Sequence, residues 1–319
     1  MTLQRGPLRW TRRRARAARS PQLFVLGAAA CFTALGWTYW LFVRTTTGQF
    51  ADESAWAEAD TAAPDGALPF LRFLDNLPLI SVVMAAATLL FVTLVRRRWA
   101  AALIALGAMA GANLTTQILK NMVLDRPDRG VPTLDFNSLP SGHTTLAASA
   151  VAAVFLVSSP RWRPLVAAGG GMYSVLAGAA TFVNLWHRPA DVIAALLVVG
   201  AWALLGGLLV MRTGNEWNVW PGFGRHWAGS RWWLALCWVA GLAGLVLSAL
   251  LYVLVQQIGP APIPGTARVP LFFWAGLASI VGTGFTLAGA AAWLFTSQAR
   301  IAGDRPRPNK AAARPGAQG

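Results

Sequence analysis

The stretch NSLPSGHTTLAASAVAAVFLV, residues 137–157, sets a polar, turn-forming cluster directly against a run of apolar side chains. Pro140, Ser141 and Gly142 favour a turn, and the run after them has the composition of a buried or membrane helix. Any capping residue would start such a helix. The histidine at 143, one of three in the chain, therefore calls for a further reason.

The composition of the whole chain is that of a membrane protein. Of its 319 residues 55% are hydrophobic and 12% are charged, and the mean hydropathy is +0.49. Soluble domains carry about 25% charged residues. Several apolar segments reach the roughly 20 residues that a helix needs to cross a bilayer. The sequence thus predicts an all-α polytopic membrane protein with eight spans, at 22–43, 77–95, 99–119, 143–159, 164–185, 191–211, 232–256 and 270–297.

The distribution of charge predicts the sides of the membrane. The basic stretch LRWTRRRARAARS, residues 8–20, precedes the first span and places the N-terminus in the cytoplasm. Alternation from there puts 20 of the 27 Lys and Arg inside and 10 of the 12 Asp and Glu outside. We therefore expect a multi-pass cell-membrane protein with both termini cytoplasmic. The net charge of +15 follows this topology, so no nucleic-acid partner is expected.

The turn at 140–143 opens the fourth span on the outer side. The N-terminus of a helix attracts anions because its amide groups are free and its dipole end is positive. Gly142 allows close approach of a ligand to the backbone, and Ser141 adds a hydroxyl. His143 can exchange a proton near neutral pH. These groups suit a phosphate.

Further polar side chains leave the membrane on the same side. Lys120 and Arg126 follow the third span, and His187 and Asp191 join the fifth span to the sixth. Each has a structural alternative: the cations can anchor at the interface, and His187 with Asp191 can be an ordinary pair at a helix start. The third histidine, His226, falls in a cytoplasmic loop, where a solvated surface residue is the expected reading.

Three segments in this order resemble the signature motifs of the type 2 phosphatidic acid phosphatase (PAP2) superfamily. That pattern is K-x6-R-P, P-S-G-H and S-R-x5-H-x3-D. Residues 140–143 match the second motif fully, and His187 with Asp191 matches the end of the third. Two departures stand out: five residues separate Lys120 from Arg126, and Thr181 occupies the position of the third-motif arginine.

The resemblance implies a mechanism without metal or cofactor. His187 is the implied nucleophile that forms a phosphohistidine, Asp191 orients its ring, and His143 is the acid and base. The implied phosphate-binding groups are Lys120, Arg126 and the amides at Ser141 and Gly142. For the missing arginine we hypothesise Arg188 as the substitute, with Arg129 as second choice. Thr181 and Asn184, and likewise Asn113 and Gln117, form polar stripes for which helix–helix hydrogen bonding is the favoured role.

The resemblance implies a membrane lipid phosphate or pyrophosphate as substrate. An outward site favours a polyprenyl pyrophosphate carrier, in the manner of an undecaprenyl-diphosphate phosphatase, and the Ala-, Arg- and Trp-rich composition suggests a bacterium. Two alternatives stay open: a catalytically impaired lipid-phosphate-binding protein and a lipid phosphotransferase. A transporter ranks last, because no charged residue falls at mid-membrane depth.

The expected organisation is a six-span phosphatase core with additions. A basic cytoplasmic N-terminus (1–21) precedes the core (22–211), and a cytoplasmic linker (212–231) leads to two extra spans (232–297) and a basic, disordered tail (298–319). The outer loop 44–76 contains ADESAWAEAD, residues 51–60, which predicts either an amphipathic surface helix or a solvated loop.

Overall fold

The computed structural model describes residues 20–62, 77–132, 136–213, 218–258 and 269–301. Within these ranges nine α-helices carry the fold, and one two-residue parallel strand pair joins β1 (Val219–Trp220) to β2 (Arg300–Ile301). The helices are α1 (Gln22–Val43), α2 (Thr46–Ala62), α3 (Leu77–Leu94), α4 (Trp99–Ile118), α5 (Gly142–Val157), α6 (Arg163–Val183), α7 (Pro189–Thr213), α8 (Arg231–Ile258) and α9 (Leu271–Gln298).

Every predicted span coincides with a helix, which confirms the all-α prediction. Six of these helices are long and apolar enough to cross a membrane: α1, α4 with the turn after it, α6, α7, α8 and α9. The apolar parts of α3 and α5 are shorter, at Leu79–Leu94 and Gly142–Val157. The structure therefore indicates a multi-pass membrane protein, and the division into a six-span core plus two further spans stays a prediction.

The outer faces of the bundle are apolar. On α8 the exposed side chains include Leu242, Val246 and Val253, and on α3 they include Leu79 and Phe91. A water-soluble protein rarely exposes contiguous apolar patches of this kind, whereas a lipid bilayer covers them without cost. These faces fit contact with lipid tails.

The centre of the bundle is α7. Its side chains are buried along most of the helix, and it packs against α1, α4, α5 and α9. Small residues such as Ala194, Ala195 and Ala201 let these neighbours approach closely. The first turn of α7, which begins beside the start of α5, is therefore held in place from several directions.

The last two membrane helices pack on each other through glycines. A Cβ added to Gly244 on α8 would lie 2.6 Å from the backbone nitrogen of Gly282 on α9, and one added to Gly282 would lie 2.6 Å from the nitrogen of Leu245. Backbones this close exclude any side chain at the contact. The pair α8 and α9 is thus tightly joined, and α9 also packs on α6, α7 and α2.

The segment with two alternative predictions forms a helix, α2, which lies across one end of the bundle. Gln49 Nε2 donates to the carbonyls of Val43 and Pro127, at 2.8 Å each. Trp56 Nε1 donates to the Leu185 carbonyl at 2.9 Å. These bonds fasten α2 over the connection between α6 and α7.

The far end of α2 is fastened to α9. Glu58 Oε2 accepts the Phe273 amide N–H at 2.9 Å, in the first turn of α9, where a carboxylate is favourable. Burial raises the pKa of Glu58, although amide N–H groups of Phe273 and Phe272 oppose the rise.

Several predictions concern parts of the chain outside the described residues. These are the basic N-terminal segment up to residue 19, the second part of the outer loop (63–76), the loop 259–268 and the tail from residue 302.

Candidate active site

The connection from α6 to α7 carries the two residues of the third motif. The His187 amide donates to the Thr181 carbonyl at 3.0 Å, which closes the end of α6. Pro189 then takes the first position of α7, where its missing N–H costs nothing. Asp191 lies two residues further on, and its Oδ2 accepts a hydrogen bond from the Arg188 amide at 3.2 Å, as in a capping box.

The same carboxylate orients the imidazole of His187. His187 Nδ1 lies 3.1 Å from Asp191 Oδ2, and both side chains are buried. With Asp191 ionised, Nδ1 is the protonated nitrogen and donates the bond, so Nε2 keeps the lone pair. The H-x3-D spacing predicts this pairing, because residues four apart share a helical face.

The turn at 140–143 begins α5 and contacts the third motif directly. Ser141 is the N-cap: its Oγ accepts the Thr144 amide at 3.3 Å. Its own amide donates to the Asp191 carbonyl at 2.9 Å. Ser141 is fully buried, so the structure gives it a capping role, and its predicted contact with phosphate stays a prediction. Gly142 is half-buried, and an added Cβ would be in ordinary contact with Gln117 Nε2 at 3.6 Å.

The structure brings the two outer histidines together. The ring centroids of His143 and His187 are 6.1 Å apart, and Trp186 lies 5.1 Å from His143 on another side. His143 is exposed, unlike His187. One phosphoryl group between the rings can be reached by both of them.

The two first-motif cations have different surroundings. Lys120 lies in a π-helical turn, Leu119–Val123, that extends α4, and its charge acts electrostatically on His143. Such turns are frequent at functional sites. The Asn137 side chain donates to the Lys120 carbonyl at 3.4 Å. Arg126 lies further along, its side chain only 1% exposed and 3.4 Å from Glu53.

Arg188, the hypothesised substitute for the missing arginine, points back toward α2. Its Nη2 donates to Glu53 Oε2 at 3.0 Å, and its Nε donates to the other oxygen, Oε1. Nη1 lies 3.5 Å from Ser138 Oγ, and the Trp56 ring centroid lies 6.0 Å from Cζ. Arg129, the second choice, is exposed at the surface.

Sequence reasoning missed the part that α2 plays in this site. Besides Glu53, α2 brings Asp52, whose Oδ1 accepts the Ala190 amide at 3.0 Å in the first turn of α7. Burial raises the pKa of Asp52 to about 7, and the charge of Asp191 adds to the rise. The Ala190 N–H, Arg126 and Arg188 act in the opposite direction. The only sequence signal was an acidic cluster predicted on the same side as the cations.

Thr181 is buried and hydrogen-bonded inside the bundle. Its hydroxyl donates to the Gly178 carbonyl at 2.8 Å and lies 3.3 Å from Thr144 Oγ1 on α5. In the other polar stripe, Asn113 Nδ2 donates to Ser149 Oγ at 2.9 Å. The helix–helix hydrogen bonding predicted for the two stripes is confirmed at Thr181 and Asn113.

One comparison with known proteins found a match. Residues 101–218 match the family model of the PAP2 superfamily, whose members are phosphatases. The match includes Lys120, Arg126, His143, His187 and Asp191. Together with six apolar helices, it indicates a phosphatase that acts on a lipid phosphate in a bilayer. The curated proteins and the solved structures gave no match. Helix α2 lies outside the matched range.

Proposed function

We propose that the protein is a metal-independent membrane lipid phosphatase that works through a phosphohistidine. The observation that carries the proposal is the buried His187–Asp191 pair, at 3.1 Å, with the exposed His143 ring 6.1 Å away. In this proposal the three side chains serve as the nucleophile, the group that orients it and the proton donor.

In the first step His187 attacks the phosphorus. The Nε2 lone pair forms the N–P bond while the bond from phosphorus to the leaving oxygen breaks. Protonated His143 gives its proton to that oxygen. The Asp191 carboxylate stabilises the positive charge that develops on the imidazole of His187.

In the second step water releases the phosphate. His143, now neutral, takes a proton from water, whose oxygen attacks phosphorus as the N–P bond breaks and the lone pair returns to His187. In both steps charge grows on the phosphoryl oxygens. Lys120, Arg126 and Arg188, with the free amides in the first turn of α5, are the groups proposed to neutralise it.

The substrate proposed is a lipid with a phosphate or pyrophosphate headgroup, polyprenyl pyrophosphate being favoured. An apolar cavity of about 370 Å³ between α1, α5, α6, α7 and α9 supports an apolar tail. On α5 it begins at Ala148, five residues past His143, and on α7 at Leu196, five past Asp191. Five helical residues span about 7.5 Å, so the cavity begins close to the proposed chemistry.

The decisive test is phosphate release by the purified protein in detergent with a chelator present. Polyprenyl pyrophosphate and phosphatidic acid are the two substrates, and the variant His187→Ala is compared with wild type. We expect metal-independent release that falls at least about a thousandfold in the variant. His226→Ala is the matched control, since His226 lies in the segment before α8 and its ring contacts Trp162 and Trp227.

Each outcome assigns a function. The substrate that is hydrolysed faster defines the class, and polyprenyl pyrophosphate is the one expected. Loss of activity on addition of the chelator contradicts the metal-independent mechanism. No release from either lipid by the wild type favours the impaired lipid-binding alternative, for which the burial of Thr181 and the pairing of Arg188 with Glu53 are the motivating observations.

The proposed outer location of the site has its own test. Arg129 and Arg161 are both exposed and lie in segments predicted on opposite sides of the membrane. After replacement of the buried Cys31 and Cys237 by alanine, Arg129→Cys and Arg161→Cys are labelled in intact cells with a membrane-impermeant maleimide. Labelling at 129 without labelling at 161 is expected; the reverse pattern places the histidines on the cytoplasmic side.

A further inference from the structure

Glu53 bridges two of the cations proposed to bind phosphate. Its Oε1 accepts a hydrogen bond from Arg188 Nε and lies 3.4 Å from Arg126 Nη1. Its Oε2 accepts a hydrogen bond from Arg188 Nη2 at 3.0 Å. The exposed fractions of the three side chains are 13% for Glu53, 6% for Arg188 and 1% for Arg126. The carboxylate thus lies between the two guanidinium groups, largely shielded from solvent.

This arrangement has the form of an occupied oxyanion site. A guanidinium presents parallel donors that fit a carboxylate and a phosphate in the same bidentate manner. A phosphoryl group that binds Arg188 through this fork needs the two donors that Glu53 uses. The two anions therefore compete, because one pair of N–H groups cannot serve both.

The neighbouring side chains hold Glu53 at this place. Asp52 is fixed to the Ala190 amide and Trp56 to the Leu185 carbonyl, both in or next to the connection that carries His187. The two bonds flank Glu53 along α2, so the carboxylate is presented to the site by a fixed helix. Its departure requires rotation of the Glu53 side chain or displacement of α2.

We propose that Glu53 occupies the anion subsite of the resting protein and is a specificity-determining residue, which a phosphorylated headgroup must displace from Arg126 and Arg188. The inference rests on the proposed function, since it names the subsite of that same reaction. It implies that small anions bind weakly. A ligand binds in the subsite only when its contacts, with the arginines and elsewhere, contribute more free energy than the Glu53 contacts that it displaces.

Binding of inorganic phosphate, measured by isothermal titration calorimetry on the full chain in detergent, tests the proposal directly. We expect Glu53→Gln to lower the dissociation constant for phosphate at least about tenfold, because the amide lacks the negative charge that competes with phosphate for the arginines. Glu58→Gln is the matched control on the same helix: Glu58 contacts α9, and its substitution is expected to leave phosphate affinity within about twofold of wild type.

Steady-state kinetics distinguish a Glu53 that competes with phosphate from one that only holds the arginines in place. If Glu53 competes, the KM for lipid phosphate falls in Glu53→Gln and kcat/KM rises. If Glu53 only supports the arginines, its loss weakens phosphate binding and lowers kcat/KM, and this result overturns the proposal. Unchanged affinity in Glu53→Gln overturns it as well.

Two further outcomes are covered by design. If Glu53→Gln does not fold, Glu53→Asp replaces it: the shorter carboxylate cannot keep the same contacts with both arginines, so tighter phosphate binding is again expected and its absence contradicts the proposal. If wild type releases no phosphate from either lipid, the proposed phosphatase function fails, while the affinity of Glu53→Gln for phosphate still decides the occupancy of the subsite.

Discussion

Two buried arginines mark the opposite ends of α6, a helix of 21 residues that is about 30 Å long. Arg163 begins the helix and is 1% exposed; Arg188 follows its other end and is 5% exposed. Arg188 meets the carboxylate of Glu53. Arg163, in contrast, donates to Asn218 Oδ1 at 3.1 Å and lies over the ring of Phe295, with its Cζ 4.7 Å from the centroid.

The partners of the two arginines differ in whether an anion could replace them. An amide and an aromatic face hold Arg163 by packing and by weak polar contacts that no soluble anion replaces. A carboxylate holds Arg188 by the same kind of contact that a phosphate makes. We therefore expect substitution of Arg163 to change stability, and substitution of Arg188 to change catalysis.

Among variants at the two ends of α6, the largest effect is expected for Arg188→Ala. Loss of a donor that neutralises charge in the transition state costs about 10²–10³ in kcat. The measurement is phosphate release from the preferred lipid, with the exposed Arg161→Ala as control. If Arg188→Ala lowers turnover no more than Arg161→Ala does, Arg188 does not substitute for the missing third-motif arginine.

For Arg163→Ala we expect a large loss of stability. The substitution removes a fully buried side chain from its contacts with Phe295, Met211 and Asn218 and leaves a cavity, at a cost of about 2–4 kcal/mol. Thermal unfolding in detergent measures the loss. Arg163→Met retains most of the side-chain volume, so its stability is expected to lie between those of Arg163→Ala and wild type. If turnover per folded molecule falls as far in Arg163→Ala as in Arg188→Ala, the two arginines do not differ in the way proposed.

A pH-dependent effect is expected at Asp52, beside Arg188. Burial and the charge of Asp191 raise its pKa in the folded protein to about 7, above the ordinary value. The folded state therefore holds more protons than the unfolded state between about pH 4 and pH 7, and the contribution of Asp52 to stability is lost as the pH rises through that window. Asp52→Asn is expected to lack this loss. Melting temperatures of both proteins at pH 5 and pH 8 provide the check; parallel changes would mean that another group titrates.

The smallest effect is expected for Phe295→Leu at the Arg163 end. The change keeps an apolar side chain but removes the ring beneath the guanidinium and its edge contacts with Phe24 and Phe155, worth about 1–2 kcal/mol. Thermal unfolding is the readout. In the Arg163→Met background, the loss is expected to shrink, because the cation is gone; an equal loss in both backgrounds would show that packing alone accounts for it.

The sequence was sufficient for the eight apolar helices and for the His187–Asp191 pair of the candidate site. Apolar composition marks the membrane helices, and the pairing of His187 with Asp191 is local, four residues apart on one helix. The approach of His143 to His187 followed from alternating helix directions, which bring the two turns to one end of the bundle.

Long-range pairing was beyond the sequence. Glu53 meets Arg188 across 135 residues and Arg126 across 73, and neither contact leaves a periodic signal. An amphipathic pattern could not decide between helix and loop for α2, because the outcome depends on anchors such as the Leu185 carbonyl and the α9 amides. Thr181 shows the reverse case: the motif located its position, but only packing against α5 shows what its hydroxyl does.

The attachment of α2 to α9 has a mechanical consequence. Glu53 and Glu58 are five residues apart on one helix, so a stiff arm about 7.5 Å long connects the anion subsite to the start of α9. Because α9 is joined tightly to α8 through Gly244 and Gly282, force applied to that helix pair is transmitted to the carboxylate between the arginines. A partner protein or a change in bilayer tension that tilts this helix pair would thus change substrate entry without contacting either histidine.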